Sequence, residues 1–187
     1  MKVFVSMLRG VNLGGKNRVK MDALRELYQS LGLRNAHTYV QSGNVIFKAE
    51  TPDPAELAKR IESGMKRRFG FHADVIMRTA AELRDVVARN PFGGRAALEP
   101  GKLLVTFLAA DPGPEARAQV LRIKADPEKV QFEGREVYIY FPDGAGRSKF
   151  PWSRIDKIVE QPGTARNWNT VRKLLAMAEE MEDSSAR

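Results

Sequence analysis

Hydrophobic and polar residues follow two different spacings at the start of the chain. The run Lys2–Leu8 is almost entirely apolar and predicts a buried β-strand. Apolar residues then recur at helical spacing over residues 21–31, and Gly32 ends this predicted helix. Its apolar positions are Met21, Leu24, Leu27, Tyr28 and Leu31. The chain therefore begins with a strand followed by an amphipathic helix.

Two short strands, a second helix and another strand come next. Ala36–Val40 and Val45–Lys48 predict strands, and Gln41–Asn44 between them has the composition of a tight turn. So short a connection requires antiparallel pairing. Pro52-Asp53-Pro54 predicts a helix start, and Ala73–Met77 predicts a strand. Together these elements follow the order β-α-β-β-α-β of a ferredoxin-like module.

The same order is repeated in the second half of the chain. Thr79 and Glu82 are spaced as a capping box for one more helix. A linker rich in glycine and proline follows, from Asn90–Gly94 to Pro100–Gly101. The later strands are predicted at Lys102–Ala109, Lys129–Phe132, Val137–Phe141 and Gly163–Ala165, and the later helices at Pro114–Ile123, Ser148–Val159 and Asn167–Met181. We predict an α+β fold of duplicated ferredoxin-like modules at residues 1–92 and 100–181, with a frayed tail at 182–187.

A glycine loop, Arg9–Arg18, follows the first strand and contains three glycines and three cations. In a ferredoxin-like sheet of strand order 4-1-3-2, the end of strand 1 and the turn between strands 2 and 3 lie side by side. Cations, loop amides and polar side chains should then converge into a site for a phosphate or carboxylate with a polar body. The candidate ligand-binding residues are Arg9, Asn12, Gly14, Gly15, Lys16, Gln41, Ser42 and Asn44. The alternative is ordinary turn chemistry with solvated cations.

The charge distribution agrees with an anionic partner. The formal net charge is +8, and residues 1–48 carry 8 Lys and Arg against 2 Asp and Glu. Such a field favours phosphates, acidic metabolites or nucleic acid. A non-catalytic nucleic-acid binder that uses this basic module is therefore a second hypothesis, and a generally basic surface is the alternative to both.

The loop also comes close to a nucleotide-binding pattern. Gly10 and Gly15-Lys16 match the phosphate-cradling motif except at its last position, where Asn17 replaces the hydroxyl that binds Mg²⁺. The antiparallel hairpin and the basic start of the following helix also argue against a nucleotide loop. A nucleotide-dependent phosphotransferase is thus a third hypothesis.

A second unusual segment, Thr164–Thr170, precedes the last helix. Asn167 is a suitable N-cap, Arg166 would reinforce anion attraction at the helix start, and Trp168 could stack on a ring. We include these three residues among the candidate ligand-binding residues. The alternative is an ordinary cap, with Trp168 packed between the modules and Arg166 in a salt bridge. The basic loop Pro142–Lys149 is interpreted as a connection.

Other chemistry is poorly represented. The chain contains no cysteine, which excludes disulfides and thiolate sites. His37 and His72 lack neighbours at metal-ligand spacing, so no metal site is predicted. No sequence motif indicates a general base or a nucleophile. The sequence therefore leaves open whether the protein is an enzyme and whether it uses a cofactor. The absence of a signal peptide pattern or a long apolar stretch favours a cytoplasmic protein without a membrane partner.

Three segments carry a family resemblance. Leu8–Asn17, Tyr39–Phe47 and Thr164–Val171 together resemble the bacterial domain-of-unknown-function 1697 family, DUF1697. The resemblance extends from about Val3 to Met181. It implies an α+β protein of two ferredoxin-like modules and brings no established activity. The leading hypothesis is therefore a cytoplasmic protein that binds a small anionic ligand at residues 9–18 and 41–44.

Overall fold

A computed structural model describes residues 1–50, 53–94 and 99–186. The strands are β1 (Lys2–Leu8), β2 (Arg34–Tyr39), β3 (Asn44–Ala49), β4 (Val75–Thr79), β5 (Leu103–Leu108), β6 (Lys129–Glu133), β7 (Glu136–Tyr140) and β8 (Gly163–Asn167). The helices are α1 (Met21–Ser30), α2 (Pro54–Phe69), α3 (Ala80–Ala88), α4 (Gly113–Leu121), α5 (Trp152–Val159) and α6 (Trp168–Ala186). No helix within these ranges is long and apolar enough to cross a membrane.

The two sheets share one topology. The first has the order β2-β3-β1-β4 and the second β6-β7-β5-β8, and every neighbouring pair is antiparallel. The register is repeated as well, since Val5 lies opposite Arg78 and Val105 lies opposite Arg166. The predicted α+β fold of duplicated ferredoxin-like modules is therefore confirmed.

One face of each sheet packs on its own two helices. In the first sheet, Phe4, Leu8 and Phe47 point into a core shared with α1 and α2. Side chains alternate along a strand, so Ile46 and Lys48 lie on the opposite face. In the second sheet, Val137 and Ile139 face the core formed with α4 and α5, and every side chain named here is at most 8% exposed.

The opposite face of each sheet is covered by a helix that comes from elsewhere in the chain. The contacts divide the chain into two compact units: residues 1–84 with the chain from Lys173 onward, and residues 85–172. Within the first unit, Lys48 Nζ donates to Ser184 Oγ on α6 at 3.4 Å. Within the second, the Tyr138 hydroxyl donates to the carbonyl of Val86 on α3 at 2.8 Å. The module bounds at residues 92 and 100 stay a prediction.

Local sequence signals explain where several helices begin. The Asp53 carboxylate accepts from Ala55 N at 2.8 Å and caps α2. At α3 the predicted capping box is present, because Glu82 N donates to Thr79 Oγ1 and Thr79 N donates to the Glu82 carboxylate. Two predicted features fall partly outside the described residues. Pro52, predicted at the start of α2, lies in residues 51–52, and part of the predicted linker lies in residues 95–98.

Two boundaries differ from the predicted ones. The helix predicted from Ser148 begins at Trp152, because the Ser148 hydroxyl accepts from Phe150 N at 3.0 Å and donates to Glu128 instead of entering a helix. At the other end, α6 extends to Ala186, so the segment predicted as a frayed tail is helical up to that residue. Part of its support comes from Ser184, whose hydroxyl donates to Met181 O at 2.9 Å.

Candidate functional site

The end of β1 is held from both sides by backbone hydrogen bonds. Leu8 N donates to Gly43 O at 3.0 Å, and Arg9 N donates to Asp74 O at 2.9 Å. The first bond joins β1 to the β2–β3 hairpin, and the second joins it to the residue that precedes β4. The glycine loop (residues 9–18) therefore starts beside the hairpin, as the strand order predicts.

Asn12 links the loop to its surroundings through its side chain. Its Nδ2 donates to Val19 O at 3.0 Å and to Gln41 O at 2.8 Å, while its Oδ1 accepts from Val19 N at 2.8 Å. Both amide hydrogens and the amide oxygen are thus engaged. Asn12 also has a φ of +56°, a conformation that asparagine tolerates better than most residues. Its side chain holds the loop, because its amide atoms are bonded to the backbone of Val19 and Gln41.

The tip of the loop is exposed but ordered by further internal bonds. Lys16 N donates to Leu13 O at 3.0 Å, Asn17 Nδ2 to Gly10 O at 3.1 Å and Arg18 Nε to Gly15 O at 3.2 Å. Residues 13–18 are all exposed. Gly14 and Gly15 have φ values of +56° and +78°, which glycine adopts without a steric cost. Within the described residues, the Lys16 ammonium group has no ion-pair partner.

The hairpin contributes close packing and one exposed polar side chain. Gly43 has a φ of +75°, and a Cβ there would lie 3.0 Å from the Leu8 Cβ, so the hairpin can approach β1 because this residue is glycine. Asn44 is fully buried, and its Nδ2 donates to Tyr39 O at 3.0 Å and to Ser42 Oγ at 2.9 Å. Gln41 is exposed beside the loop. Of the predicted hairpin residues, Gln41 therefore has the side chain that faces solvent, and Asn44 has a packing role.

A cluster of charged side chains lies at the same sheet edge and was not predicted. Asp74 Oδ1 is 3.1 Å from His72 Nε2, and its Oδ2 is 3.8 Å from Arg9 Nη1. All three side chains are partly exposed, with Asp74 the least at 32%. One carboxylate therefore offsets part of the positive charge at the base of the loop. The strand order could have indicated this cluster, because β4 is also a neighbour of β1 and begins at the sheet edge where β1 ends.

The segment before α6 has structural contacts in the second unit. Arg166 is buried, its Nη1 donates to Thr164 Oγ1 at 2.7 Å and to Ala165 O at 2.9 Å, and desolvation lowers its pKa to about 10. Asn167 Oδ1 accepts from Asn169 N at 3.0 Å, which confirms the predicted N-cap. Trp168 is 8% exposed, and its ring centroid lies 6.5 Å from that of Tyr138. These contacts favour the interpretation of an ordinary cap for this segment.

The site contains charge but no recognisable metal centre. No group of three His, Asp or Glu side chains is placed to hold a metal ion anywhere in residues 1–50, 53–94 and 99–186. What the loop and hairpin do offer is a cationic, exposed and internally bonded surface formed by residues 9–18 and 41–44. Such a surface can bind an anion through Lys16 and loop amides without large rearrangement.

Comparison with known proteins identifies similar proteins of unknown function. A family model described as "protein of unknown function (DUF1697)" matches residues 1–138. The fold is similar to that of the conserved bacterial protein SP0830 from Streptococcus pneumoniae, with a TM-score of 0.75 and 22% sequence identity. The match covers 96% of this chain and 99% of that chain. Among curated proteins, none matches significantly.

Proposed function

Because the chain belongs to the DUF1697 family, whose function is unknown, we propose a function from the geometry of its glycine loop and hairpin: the protein binds a small anionic ligand there. The ligand carries a phosphate or carboxylate on a polar body and is held at the surface formed by the glycine loop and the hairpin. Lys16 provides the charge, the loop backbone provides N–H donors and Gln41 provides a neutral polar contact. Nothing in this proposal requires turnover of the ligand.

The observation that carries the proposal is the set of internal hydrogen bonds in an exposed loop. Fixing the backbone of one residue costs about 1–2 kcal/mol in conformational entropy. Here that cost falls on residues that bury little apolar surface, since residues 13–18 are all exposed. The Asn12 side chain and the Asn17–Gly10 bond offset part of it. An exposed loop whose backbone is tied by its own hydrogen bonds is pre-organised for a ligand, which lowers the cost of binding.

The charges favour a small anion with one principal cationic contact. Arg9 has Asp74 within 3.8 Å, whereas Lys16 has no carboxylate within ion-pair distance in the described part of the chain. Lys16 is therefore more available to a ligand than Arg9. Lysine also binds phosphate well as a point charge.

The two other hypotheses, a phosphotransferase and a nucleic-acid binder, explain the residues of the loop less well. In a phosphotransferase of the nucleotide-loop type, the position of Asn17 would bind Mg²⁺, whereas here its side chain closes the loop onto Gly10. Nucleic-acid binding would use the basic first module as a whole. That hypothesis predicts a steep loss of affinity with salt, in proportion to the number of phosphates contacted.

Thermal stabilisation by a panel of anions tests the proposal. Inorganic phosphate, phosphorylated sugars, nucleotides and dicarboxylates are added to the full chain and to Lys16→Ala. We expect at least one of these anions to raise the Tm of the wild-type protein and to lose most of this effect in Lys16→Ala. Lys59→Ala is the matched control, because Lys59 is an exposed lysine of the same unit on α2, distant in sequence from the loop. Equal responses of the two variants, or no response of the wild-type protein, would contradict the proposal.

A further inference from the structure

A cavity lies in the second unit, between the loop that joins α4 to β6 and the loop that joins β7 to α5. Its volume is about 320 Å³. One wall comes from Lys124–Glu128 and the other from Asp143 and Arg147–Pro151. The second wall includes part of the basic segment that the sequence suggests is only a connection. This volume is at the lower limit of small-molecule sites, which hold about 300–1,000 Å³.

The two walls are fixed to each other by hydrogen bonds. The Ser148 hydroxyl donates to the Glu128 carboxylate and accepts from Phe150 N at 3.0 Å. Glu128 N in turn donates to Ala125 O at 2.7 Å. Phe150 is anchored in the core, with its ring centroid 5.5 Å from that of Phe141. The hydrogen bonds between its walls therefore pre-form the cavity, and its lining includes a side chain that is anchored in the core.

Charges of both signs line this cavity without pairing. The cations are Lys124, Arg147 and Lys149, and the carboxylates apart from Glu128 are Asp126 and Asp143. All five of these side chains belong to exposed residues, and none lies within 4.0 Å of an opposite charge among the described residues. Because cations and carboxylates line one cavity without forming ion pairs, a small ligand could contact a cation and a carboxylate at the same time.

We infer that this cavity binds a small zwitterion of the amino-acid or dipeptide class. A carboxylate of the ligand pairs with Arg147, whose planar guanidinium fits a carboxylate through two parallel hydrogen bonds. An ammonium group of the ligand pairs with Asp143 or Asp126. The body of the ligand packs on the apolar part of the lining, which is formed by Ala125, Pro127, Phe150 and Pro151.

Calorimetric titration of the full chain tests this inference with chemically matched probes. The panel contains the free amino acids and a set of dipeptides, and each member is also prepared in N-acetylated and C-amidated form. We expect saturable heat from at least one zwitterion, and binding about tenfold weaker or more for both of its blocked forms, a loss of about 1.4 kcal/mol. No saturable heat from any member overturns the inference, and so do blocked forms that bind as well as the zwitterion.

Two variants assign the binding to the cavity. Arg147→Ala should weaken the zwitterion about tenfold or more while leaving the weak binding of its C-amidated form unchanged. Lys157→Ala is the control, since Lys157 is an exposed cation on α5 outside the cavity lining. An equal effect of both variants would place the zwitterion elsewhere and overturn the inference. Phosphate binding at the glycine loop is measured separately, so this result and that of the proposed function can fail independently.

Discussion

A hydrogen bond of 2.8 Å from Asn12 Nδ2 to Gln41 O connects the glycine loop directly to the β2–β3 hairpin. The same side chain exchanges two further bonds with the backbone of Val19, at the far end of the loop. One residue therefore fixes three separate points of the chain. The conformation of the proposed anion site depends on this side chain more than on any residue that would contact the ligand.

Replacing Asn12 by glycine should loosen the loop. Glycine accepts the φ of +56° but removes all three side-chain hydrogen bonds, so we expect a loss of about 1–3 kcal/mol in the free energy of unfolding. Hydrogen exchange at the Val19 amide, which donates to Asn12, should become faster. Asn17→Gly is the control, because it also replaces an asparagine of positive φ but removes one exposed bond. Equal exchange rates at Val19 in the two variants would contradict the assigned role.

The duplication provides a matched pair of polar core positions. Ser6 lies opposite Met77, and Thr106 lies opposite Ala165 at the same place in the second sheet. The Ser6 hydroxyl contacts the Tyr28 hydroxyl at 2.8 Å, whereas the buried Thr106 hydroxyl has no hydrogen-bond partner in the described residues.

Substitution at these two positions should therefore have opposite effects. We expect Thr106→Val to stabilise the protein by about 0.5–1.5 kcal/mol, because valine keeps the shape and removes the unsatisfied hydroxyl. Ser6→Ala should destabilise it by about 1–3 kcal/mol, because it leaves a buried Tyr28 hydroxyl without this partner. Chemical denaturation measures both. Destabilisation by Thr106→Val would show that this hydroxyl is satisfied in solution.

Tyr28 should make the stability of the protein sensitive to alkaline pH. Burial raises the pKa of Tyr28 above its ordinary value of 10.0. Above that pH the unfolded chain loses the phenolic proton while the folded protein keeps it, so stability falls as the pH rises. Tyr28→Phe removes this proton, and its free energy of unfolding should fall less steeply above pH 10.0. Parallel curves for Tyr28→Phe and the wild-type protein would rule out the effect.

Asp74 should weaken the attraction of the site for anions. Its carboxylate lies 3.8 Å from Arg9 Nη1, so Asp74→Asn removes a negative charge beside the loop. We expect phosphate affinity to rise by up to about fivefold, which corresponds to the value of about 1 kcal/mol for an exposed ion pair. Asp22→Asn is a matched control, because it also breaks an aspartate–arginine pair, with Arg25 on α1. Equal affinities of the two variants would contradict the placement of the ligand near Arg9.

The adjacency of the loop and the hairpin could be predicted because it follows from topology. A two-strand turn at Gln41–Asn44 requires antiparallel pairing, and the strand order then makes β3 a neighbour of β1. The same reasoning applied to β4 would have placed Asp74 and His72 beside Arg9. No local motif in the sequence marks these two residues as candidates.

The roles of individual side chains were harder to predict. Asparagine can bind a ligand or its own backbone, and the choice at Asn12 depends on where Val19 and Gln41 lie in space. Trp168 can stack on a ligand or pack inside, and here it is buried near Tyr138. The contact of α6 with the first sheet joins residues far apart in sequence, such as Lys48 and Ser184, which no local pattern encodes.

Mapping of backbone amide shifts by NMR during titration with phosphate and phosphorylated metabolites tests the central claim most directly. The account predicts saturable shifts that cluster in residues 9–18 and 41–44 and disappear in Lys16→Ala. The spectrum of Lys59→Ala should follow that of the wild-type protein. Saturable shifts spread over the basic surface, or confined to other residues, would contradict the assignment of the anion site to the glycine loop and the hairpin.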